Sequence, residues 1–270
     1  MSKPAVAVAI PAYNEADGIG GFLQEIDRAL APHAEPLHLV VVDDASTDAT
    51  LAVLESTRDS LEGNLEVVAS HQNRGHGPSV LAAYRRALEL NPDYVLQVDG
   101  DGQFHGSDLR RVLVLLRDDA HAVSGVRRFR QDPWFRMIMT RLVRGYVHQS
   151  FGVLARDPNC PLRGYDAAVL RDLLPILPPN ALVPNLYLTV LASRRGLALL
   201  EVDVSHRVRR GGSAEGSGLG RGPRSPVPWR LVRFSLSALR ESRSFRGQMD
   251  TPGWARRMAE EGRRANATRP

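Results

Sequence analysis

Two aspartates separated by one glycine are the residues best suited to chemistry. The segment Asp99-Gly100-Asp101-Gly102-Gln103 directly follows an apolar run, so both carboxylates stand on a glycine-flanked turn. Mg²⁺ and Mn²⁺ prefer such oxygen ligands and also bind the phosphates of a substrate. The segment therefore predicts a site for one divalent cation that bridges to a diphosphate. A solvated Asp-Gly turn is the alternative.

A second acidic pair and a polar loop follow two other apolar runs. Asp43 and Asp44 end one run, and residues 11–15 end another. One carboxylate of the pair suits the base or ribose of a nucleotide, whereas the other suits the cap of a helix that begins near Thr47. Because polar or acidic residues follow several apolar runs in the same way, a shared ligand site is favoured over isolated solvated turns.

Several other kinds of site are excluded by their missing motifs. No G-x-G-x-x-G follows the first apolar run and no G-x-x-x-x-G-K-[ST] occurs, which disfavours dinucleotide-binding and P-loop proteins. No group of histidines and cysteines has the spacing of a zinc site.

The polar loops need a scaffold that gathers them, and the sequence predicts alternating strands and helices. The predicted strands are residues 6–10, 37–42, 65–69 and 94–98, and the predicted helices between them are residues 17–30, 47–61 and 77–90. This order predicts an α/β fold with a mainly parallel central sheet and helices on both faces. Ligands bind such sheets at the carboxyl ends of the strands, where the polar loops fall.

The second half of the chain is less regular. It contains predicted helices at 107–117, 167–174 and 185–194, predicted strands at 122–126 and 198–204, and an amphipathic stretch at 134–154. We therefore predict one catalytic domain over residues 1–206. Residues 207–270 form a basic segment rich in Gly, Pro and Arg, with one helix at about 229–240 and a disordered tail from residue 247.

Composition and charge limit the classes of protein to which this chain could belong. The chain has 270 residues, of which 43% are hydrophobic and 24% are charged, as in a soluble globular domain. A single cysteine and the lack of a long apolar run predict a cytoplasmic protein without a membrane span. From residue 207 onward the chain contains fifteen arginines and five acidic residues, a local charge of +10. The first 206 residues therefore carry a charge of −5. A basic end suits anionic lipid, nucleic acid, a phosphorylated substrate or a solvated tail.

The ordered motifs resemble the signature of family 2 glycosyltransferases, which have the GT-A nucleotide-diphospho-sugar transferase fold. The motifs are Ile10-Pro11-Ala12-Tyr13-Asn14-Glu15, Val42-Asp43-Asp44-Ala45-Ser46-Thr47-Asp48-Ala49-Thr50, Asn73-x-Gly75-x-Gly77 and Asp99-Gly100-Asp101-Gly102-Gln103. Within the family, the chain is similar to the dolichyl- or polyprenyl-phosphate mannose synthases and their bacterial relatives. The resemblance extends from residue 4 to about residue 214.

The resemblance implies a role for each matching position. The residues that match the donor nucleotide site are Pro11, Tyr13, Glu15 and Asp44, and those that match the metal and diphosphate site are Asp99, Asp101 and Gln103, with Gly100 on the same turn. Arg127 and Arg209 match basic residues near the donor phosphates or the acceptor phosphate. Arg136 and Thr140 match an acceptor-phosphate pair on one helix face, for which a solvated basic face is the alternative.

The implied reaction is a metal-dependent, inverting transfer of a hexose from a GDP- or UDP-linked donor to a polyprenyl phosphate, with Mg²⁺ or Mn²⁺ as cofactor. A lipid acceptor would hold the enzyme peripherally on the inner face of the membrane. A phosphate is already an anionic nucleophile, whereas a hydroxyl acceptor needs a base. Many members of the family that act on hydroxyls carry an acidic pair where this chain has Leu182-Val183-Pro184-Asn185, so the resemblance favours a phosphate acceptor.

Two other functions stay open on sequence grounds. Asp157 is a candidate catalytic base for a hydroxyl acceptor in cell-surface polysaccharide or secondary-metabolite assembly. A nucleic-acid-binding protein that uses the basic end is a more remote hypothesis, because it leaves Asp99 and Asp101 without a role.

Overall fold

The central sheet is mostly parallel, as the sequence predicts. The computed structural model describes residues 2–127, 134–209, 229–251 and 253–254. Its strands are β1 Val6–Ala12, β2 Leu37–Asp43, β3 Asn64–Ala69, β4 Tyr94–Gln97, β5 Ala122–Arg127, β6 Arg163–Asp166 and β7 Leu199–Val204. They lie in the order β3-β2-β1-β4-β6-β5-β7, and β6 runs antiparallel to both of its neighbours.

Helices cover both faces because the central strands are apolar on both sides. The helices are α1 Ile19–Leu30, α2 Thr50–Thr57, α3 His76–Glu89, α4 Gly106–Arg117, α5 Trp134–Phe151, α6 Ala167–Leu173, α7 Pro184–Arg194 and α8 Trp229–Met249. Successive residues of a strand point to opposite faces. Along β1, Ala7 and Ala9 pack in the core that includes α3 and α7, whereas Val6, Val8 and Ile10 pack in the core that includes α1 and α4.

Strand β6 is missing from the sequence-based prediction, and its composition explains why. It contains only Arg163, Gly164, Tyr165 and Asp166, so no run of apolar residues marks it. Gly164 is required by close packing, since a Cβ there would lie 2.5 Å from the Cγ1 atom of Val112 on α4. The strand pairs with β4 on one side and β5 on the other, so it joins the two parts of the sheet beside the predicted metal loop.

Helix α8 extends beyond the predicted end at residue 240 and packs on the main domain. Its residues Phe245 and Met249 are buried in the same core as α7, and the Phe245 ring lies 4.5 Å from that of Tyr187. The prediction of disorder from residue 247 is therefore wrong for residues 247–249, because they continue this helix. Residues 255–270 lie outside the described ranges. Within the described residues, no helix is long and apolar enough to cross a membrane.

Candidate active site

The two aspartates of the predicted metal site stand just beyond β4 and are held by short hydrogen bonds. Gln97 donates its side-chain amide to Asp99 Oδ1 at 3.0 Å, and the backbone N–H of Gln103 donates to Asp101 Oδ1 at 3.1 Å. Gly102 has a φ of 67°, a conformation that favours glycine and turns the chain between these carboxylates and α4. The loop thus presents two oriented carboxylates at the carboxyl edge of the sheet.

These carboxylates belong to a crowded acidic site. Burial, together with the nearby charge of Asp99, raises the pKa of Asp101 to about 6. The pKa of Glu15 is raised to about 8, mainly by burial and also by the charges of Asp101 and Asp99, against the opposing effect of Arg209. Crowded, partly desolvated carboxylates are stabilised by a cation. The oxygen donors and the excess negative charge therefore fit a divalent metal ion.

The protein supplies only part of a metal coordination sphere. Among the described residues, no three His, Cys, Asp or Glu side chains converge in a way that could hold a metal by themselves. A site with two carboxylates leaves positions for the oxygens of a substrate diphosphate, as Mg²⁺ sites commonly do. Asp99 and Asp101 are the residues that would hold the ion.

The acidic pair Asp43 and Asp44 lies at the end of β2, where the sequence predicts one carboxylate at the nucleotide and the other at a helix cap. The structure shows different contacts for both. Both carboxylate oxygens of Asp44 accept backbone N–H groups, from Arg74 at 2.9 Å and from Gly75 at 2.8 Å, so this side chain anchors the loop before α3. Asp43 is fully buried, and its Oδ1 has no hydrogen-bond partner among the described residues. An unpaired buried oxygen is costly, and this one is not accessible to a ligand because Asp43 is 0% exposed. The assignment of Asp44 to the nucleotide stays a prediction.

Backbone contacts join the β1 loop to the metal loop. The N–H of Gly100 donates to the carbonyl of Pro11 at 3.1 Å, and a Cβ at Gly100 would lie 3.0 Å from the Cδ1 atom of Ile19. A larger residue at position 100 would therefore crowd this contact. The backbone N–H of Glu15 donates to Thr50 Oγ1 at 2.9 Å, which ties the same loop to α2, and Tyr13 lies partly buried between these anchors.

The segment that follows β7 crosses this acidic site. Arg209 forms an ion pair with Glu15, and its Nε lies 3.1 Å from Glu15 Oε2. Arg207 donates to the carbonyl of Gly102 at 2.6 Å and to Glu25 Oε2 at 2.9 Å. The predicted C-terminal segment therefore begins as part of the site. Glu25 was not singled out from the sequence, because an acidic residue on an amphipathic helix is ordinary.

A cleft of about 330 Å³ opens beside the two aspartates. Its lining includes His76, Asp99, Asp101, Gln103, Arg127, Thr140, Asp157, Asn159 and Asn185. Arg127 and Asp157 form a two-pronged ion pair across it, with distances of 2.7 Å and 3.0 Å. The structure thus brings Thr140 of the predicted acceptor pair to the cleft, whereas the side chain of Arg136 lies outside the described residues.

A chain of buried hydrogen bonds ends on Asp99. Tyr84 Oη donates to Asn185 Oδ1 at 3.1 Å, Asn185 Nδ2 donates to Gln97 Oε1 at 3.0 Å, and Gln97 in turn donates to Asp99. All three of these residues are buried, so the chain fixes the orientation of the carboxylate. A glutamine within an otherwise apolar strand is the sequence signal for this feature.

An apolar groove of about 390 Å³ continues from the cleft. It runs between α5 and α8, with Val183 and Leu186 also in its lining, and shares the lining residues Met139, Val143, Asn159 and Leu231 with the cleft. Tyr146 Oη donates to Ser242 Oγ at 3.1 Å and joins the two helices across the groove. A polar cleft and an apolar groove therefore form one continuous surface.

Comparison with known families agrees with this architecture. The family model described as "Glycosyl transferase family 2" matches residues 7–174, which include β1 to β6 and the metal loop. The chain belongs to glycosyltransferase family 2. The resemblance inferred from the four sequence motifs is thereby confirmed.

Curated relatives of this glycosyltransferase transfer sugars to a lipid phosphate. It is 26% identical over 210 residues to the undecaprenyl-phosphate 4-deoxy-4-formamido-L-arabinose transferase of Edwardsiella ictaluri (strain 93-146), an alignment that covers 78% of this chain and 62% of the relative. The enzyme of the same name from Serratia proteamaculans (strain 568) is 24% identical with the same coverage. The chain thus spans less than two thirds of the length of these relatives.

Solved structures confirm the GT-A fold. Glucosyl-3-phosphoglycerate synthase from Mycobacterium tuberculosis, in complex with phosphoglyceric acid, superposes with a TM-score of 0.63 at 17% identity, covering 90% of this chain and 80% of that one. A complex of the same synthase with Mn²⁺, UDP and phosphoglyceric acid gives a TM-score of 0.64 at 17% identity, covering 90% and 79% of the two chains.

Proposed function

We propose that this glycosyltransferase moves a hexose from a GDP- or UDP-linked sugar to a polyprenyl phosphate, with inversion at the anomeric carbon. The observation that carries the proposal is the continuity of the polar cleft with the apolar groove. An acceptor with an anionic head and a hydrocarbon tail matches both parts at once. The lipid-phosphate transferases among the relatives support the same acceptor class.

The donor side of the proposal rests on the loops after β1, β2 and β4. Asp99 and Asp101 would hold Mg²⁺ or Mn²⁺, which neutralises the charge that grows on a departing diphosphate. The Mn²⁺ and UDP in the related synthase support this assignment. Arg209, which pairs with Glu15, would place a positive charge beside the donor phosphates, and Asp44 is the carboxylate that we assign to the nucleotide.

Among the described residues that line the cleft, no carboxylate is left unassigned for use as a base. Of the acidic residues that line the cleft, Asp99 and Asp101 are assigned to the metal, and both oxygens of Asp157 accept from Arg127. Because both of its oxygens are engaged by Arg127, Asp157 is poorly placed to act as a base for an acceptor hydroxyl. Asn185 stands where hydroxyl-specific relatives carry an acid, and it is neutral.

A lipid phosphate removes the need for such a base. One of its oxygens already carries negative charge and attacks the anomeric carbon as the bond between that carbon and the diphosphate breaks. A single displacement of this kind inverts the anomeric centre and releases the nucleoside diphosphate. We assign Thr140 and Arg136, with Arg127, to the acceptor phosphate, since Thr140 and Arg127 line the cleft. The acceptor would hold the protein peripherally at the cytoplasmic face of a membrane.

The proposal is tested by comparing a lipid phosphate with the matching lipid alcohol. Purified protein is incubated with labelled UDP-glucose, UDP-N-acetylglucosamine or GDP-mannose, with Mn²⁺, Mg²⁺ or EDTA, and with undecaprenyl phosphate or undecaprenol in detergent. We expect metal-dependent transfer from one donor to the phosphate, with no transfer to the alcohol. Transfer to the alcohol, or to a soluble sugar alone, would show that the acceptor assignment is wrong.

A further inference from the structure

Helix α5 faces a second cavity that has no lining residue in common with the cleft or the groove. This cavity of about 470 Å³ is lined by Arg141, Arg144, His148 and Arg156, together with Gly145, residues 153–155 and Glu201. We call it the basic pocket. It lies on the side of α5 away from Met139 and Val143, which line the cleft and the groove. Its occupant is therefore separate from the donor and the acceptor head.

The basic pocket carries excess positive charge. Arg141 and Arg144 are exposed and form no hydrogen bond or ion pair with the described residues. Arg156 donates to Asp203 at 2.6 Å, and its backbone N–H donates to Glu201 Oε1, the only acidic group among the described lining residues. Two exposed guanidinium groups thus lie about one helical turn apart at this pocket, where both would attract the same anion.

Apolar side chains are exposed beside these arginines. Leu154 lines the basic pocket and is 82% exposed, and Leu142 and Ile138, on the outer side of α5, are 60% and 43% exposed. Adjacent arginines and exposed leucines are typical of surfaces that lie in the headgroup region of a bilayer. The arginines reach the phosphates there, while the apolar side chains enter the acyl boundary.

We propose that the basic pocket, with Leu154, Leu142 and Ile138, docks the protein on the headgroups of an anionic phospholipid bilayer. The pocket supplies charge complementarity to phosphate groups, and the exposed apolar residues gain a non-aqueous environment. A second copy of the chain would bring arginines against arginines on a two-fold interface, and a nucleic acid would leave the exposed leucines in water.

Docking through this face has a consequence for the acceptor. Leu142 lines the apolar groove as well as the proposed bilayer contact. The groove would therefore open at the membrane surface, where a lipid acceptor resides. The docking inference goes beyond the proposed function and does not depend on it, because bilayer binding requires neither donor nor transfer.

Sedimentation with vesicles tests the inference with a matched control. The double variant Arg141→Gln/Arg144→Gln removes two pocket charges, whereas Arg110→Gln/Arg117→Gln removes two exposed charges from α4 and leaves the same net charge. We expect the wild type to bind vesicles of mixed phosphatidylglycerol and phosphatidylcholine and to ignore phosphatidylcholine alone. The pocket variant should lose about fivefold in affinity for each arginine, and the α4 variant should bind as the wild type does.

The apolar contribution has its own pair of variants. Leu154→Ser should weaken binding to the anionic vesicles, whereas Val114→Ser, at a 47% exposed position on α4, should not. Unchanged melting temperatures and donor affinities show that the variants are folded.

Two outcomes would overturn the docking inference. One is a wild type that does not bind anionic vesicles, and the other is an equal loss of binding in the pocket and α4 variants, which would indicate general charge attraction. Sugar transfer to a detergent-solubilised acceptor tests the proposed function separately, so the two can fail independently.

Discussion

The donor half and the acceptor half of this glycosyltransferase are built in different ways. On the donor side, polar side chains stand at the ends of neighbouring parallel strands, and nearby backbone and side-chain groups orient them, as Gln97 orients Asp99. On the acceptor side, α5 and α8 form the groove, although almost eighty residues of chain separate them. The donor half therefore depends on local geometry and charge, and the acceptor half depends on long-range packing.

Polar contacts at the base of the acceptor half keep α8 in place. Glu241 on α8 accepts from the backbone N–H of Leu182 at 2.9 Å and from Tyr187 Oη at 2.8 Å. Since Tyr146 of α5 also bonds to Ser242, α5, α7 and α8 form one connected unit. Substitutions in the two halves should consequently affect different steps: turnover and metal use on the donor side, and acceptor KM on the other.

The largest expected effect is on the metal carboxylates. Asp101→Asn removes a charged oxygen ligand and should reduce turnover on the order of 1000-fold, while the fold remains intact. Asp59→Asn, at an exposed position outside the site, is the matched control and should be active. The measurement is labelled sugar transfer with a Mn²⁺ titration. Unaltered transfer by Asp101→Asn would contradict the assignment of the metal site.

A smaller loss is expected when the buried hydrogen-bond chain is cut. Gln97→Met keeps the volume but no longer donates to Asp99, and loss of such an orienting bond typically reduces metal affinity or activity about 10- to 100-fold. The half-saturating Mn²⁺ concentration should rise, which a purely structural loss of stability would not produce. Gln149→Met, at an exposed position on α5, serves as the control. A normal Mn²⁺ titration for Gln97→Met would show that the chain does not position the carboxylate.

Filling the groove should raise the KM for the acceptor and leave donor binding unchanged. Ala238→Phe places a ring among the groove-lining residues of α8 and should raise the KM for undecaprenyl phosphate about 10-fold, the scale of misfit in an apolar pocket. The affinity for the donor should not change. Leu236→Phe lies on the same helix but does not line the groove, so its kinetics should match the wild type. Equal KM values for the two variants would show that the groove does not bind the acceptor.

The smallest effect is expected at Cys160, in the loop that carries Asp157 and Asn159. Burial raises the pKa of this thiol to about 11, so it stays protonated at pH 8 and is shielded from reagents. Native protein should react with iodoacetamide far more slowly than protein unfolded in urea. Fast labelling of the native protein would show that the loop around Cys160 opens readily, which would contradict the full burial of this thiol.

The donor half was predictable from sequence because its signals are local. Apolar runs that end in Asp43 and in the loop from Asp99 mark strand ends, and parallel strands bring their ends to one edge of a sheet. The division of tasks between Asp43 and Asp44 could not be predicted, since it depends on which side chain meets the backbone of Arg74 and Gly75 from thirty residues away.

The acceptor half was less predictable because its contacts are distant in sequence. Strand β6 is too short and polar to be seen, although Arg163 within it is fully buried and donates to the carbonyls of Pro158 and Cys160. The amphipathic pattern of α5 did not indicate which face meets α8. The basic composition of the C-terminal segment gave no indication that Phe245 and Met249 belong to the core.

The most direct test of the account is the dependence of transfer on acceptor chain length. Sugar transfer is measured with undecaprenyl phosphate, with progressively shorter prenyl phosphates and with a water-soluble alkyl phosphate, at saturating donor and Mn²⁺. Because the proposal places the acceptor head in the cleft and its tail in the groove, the KM should fall as the chain lengthens and level off once the groove is filled. Equal KM values for the soluble phosphate and undecaprenyl phosphate would contradict a joint role of the cleft and the groove.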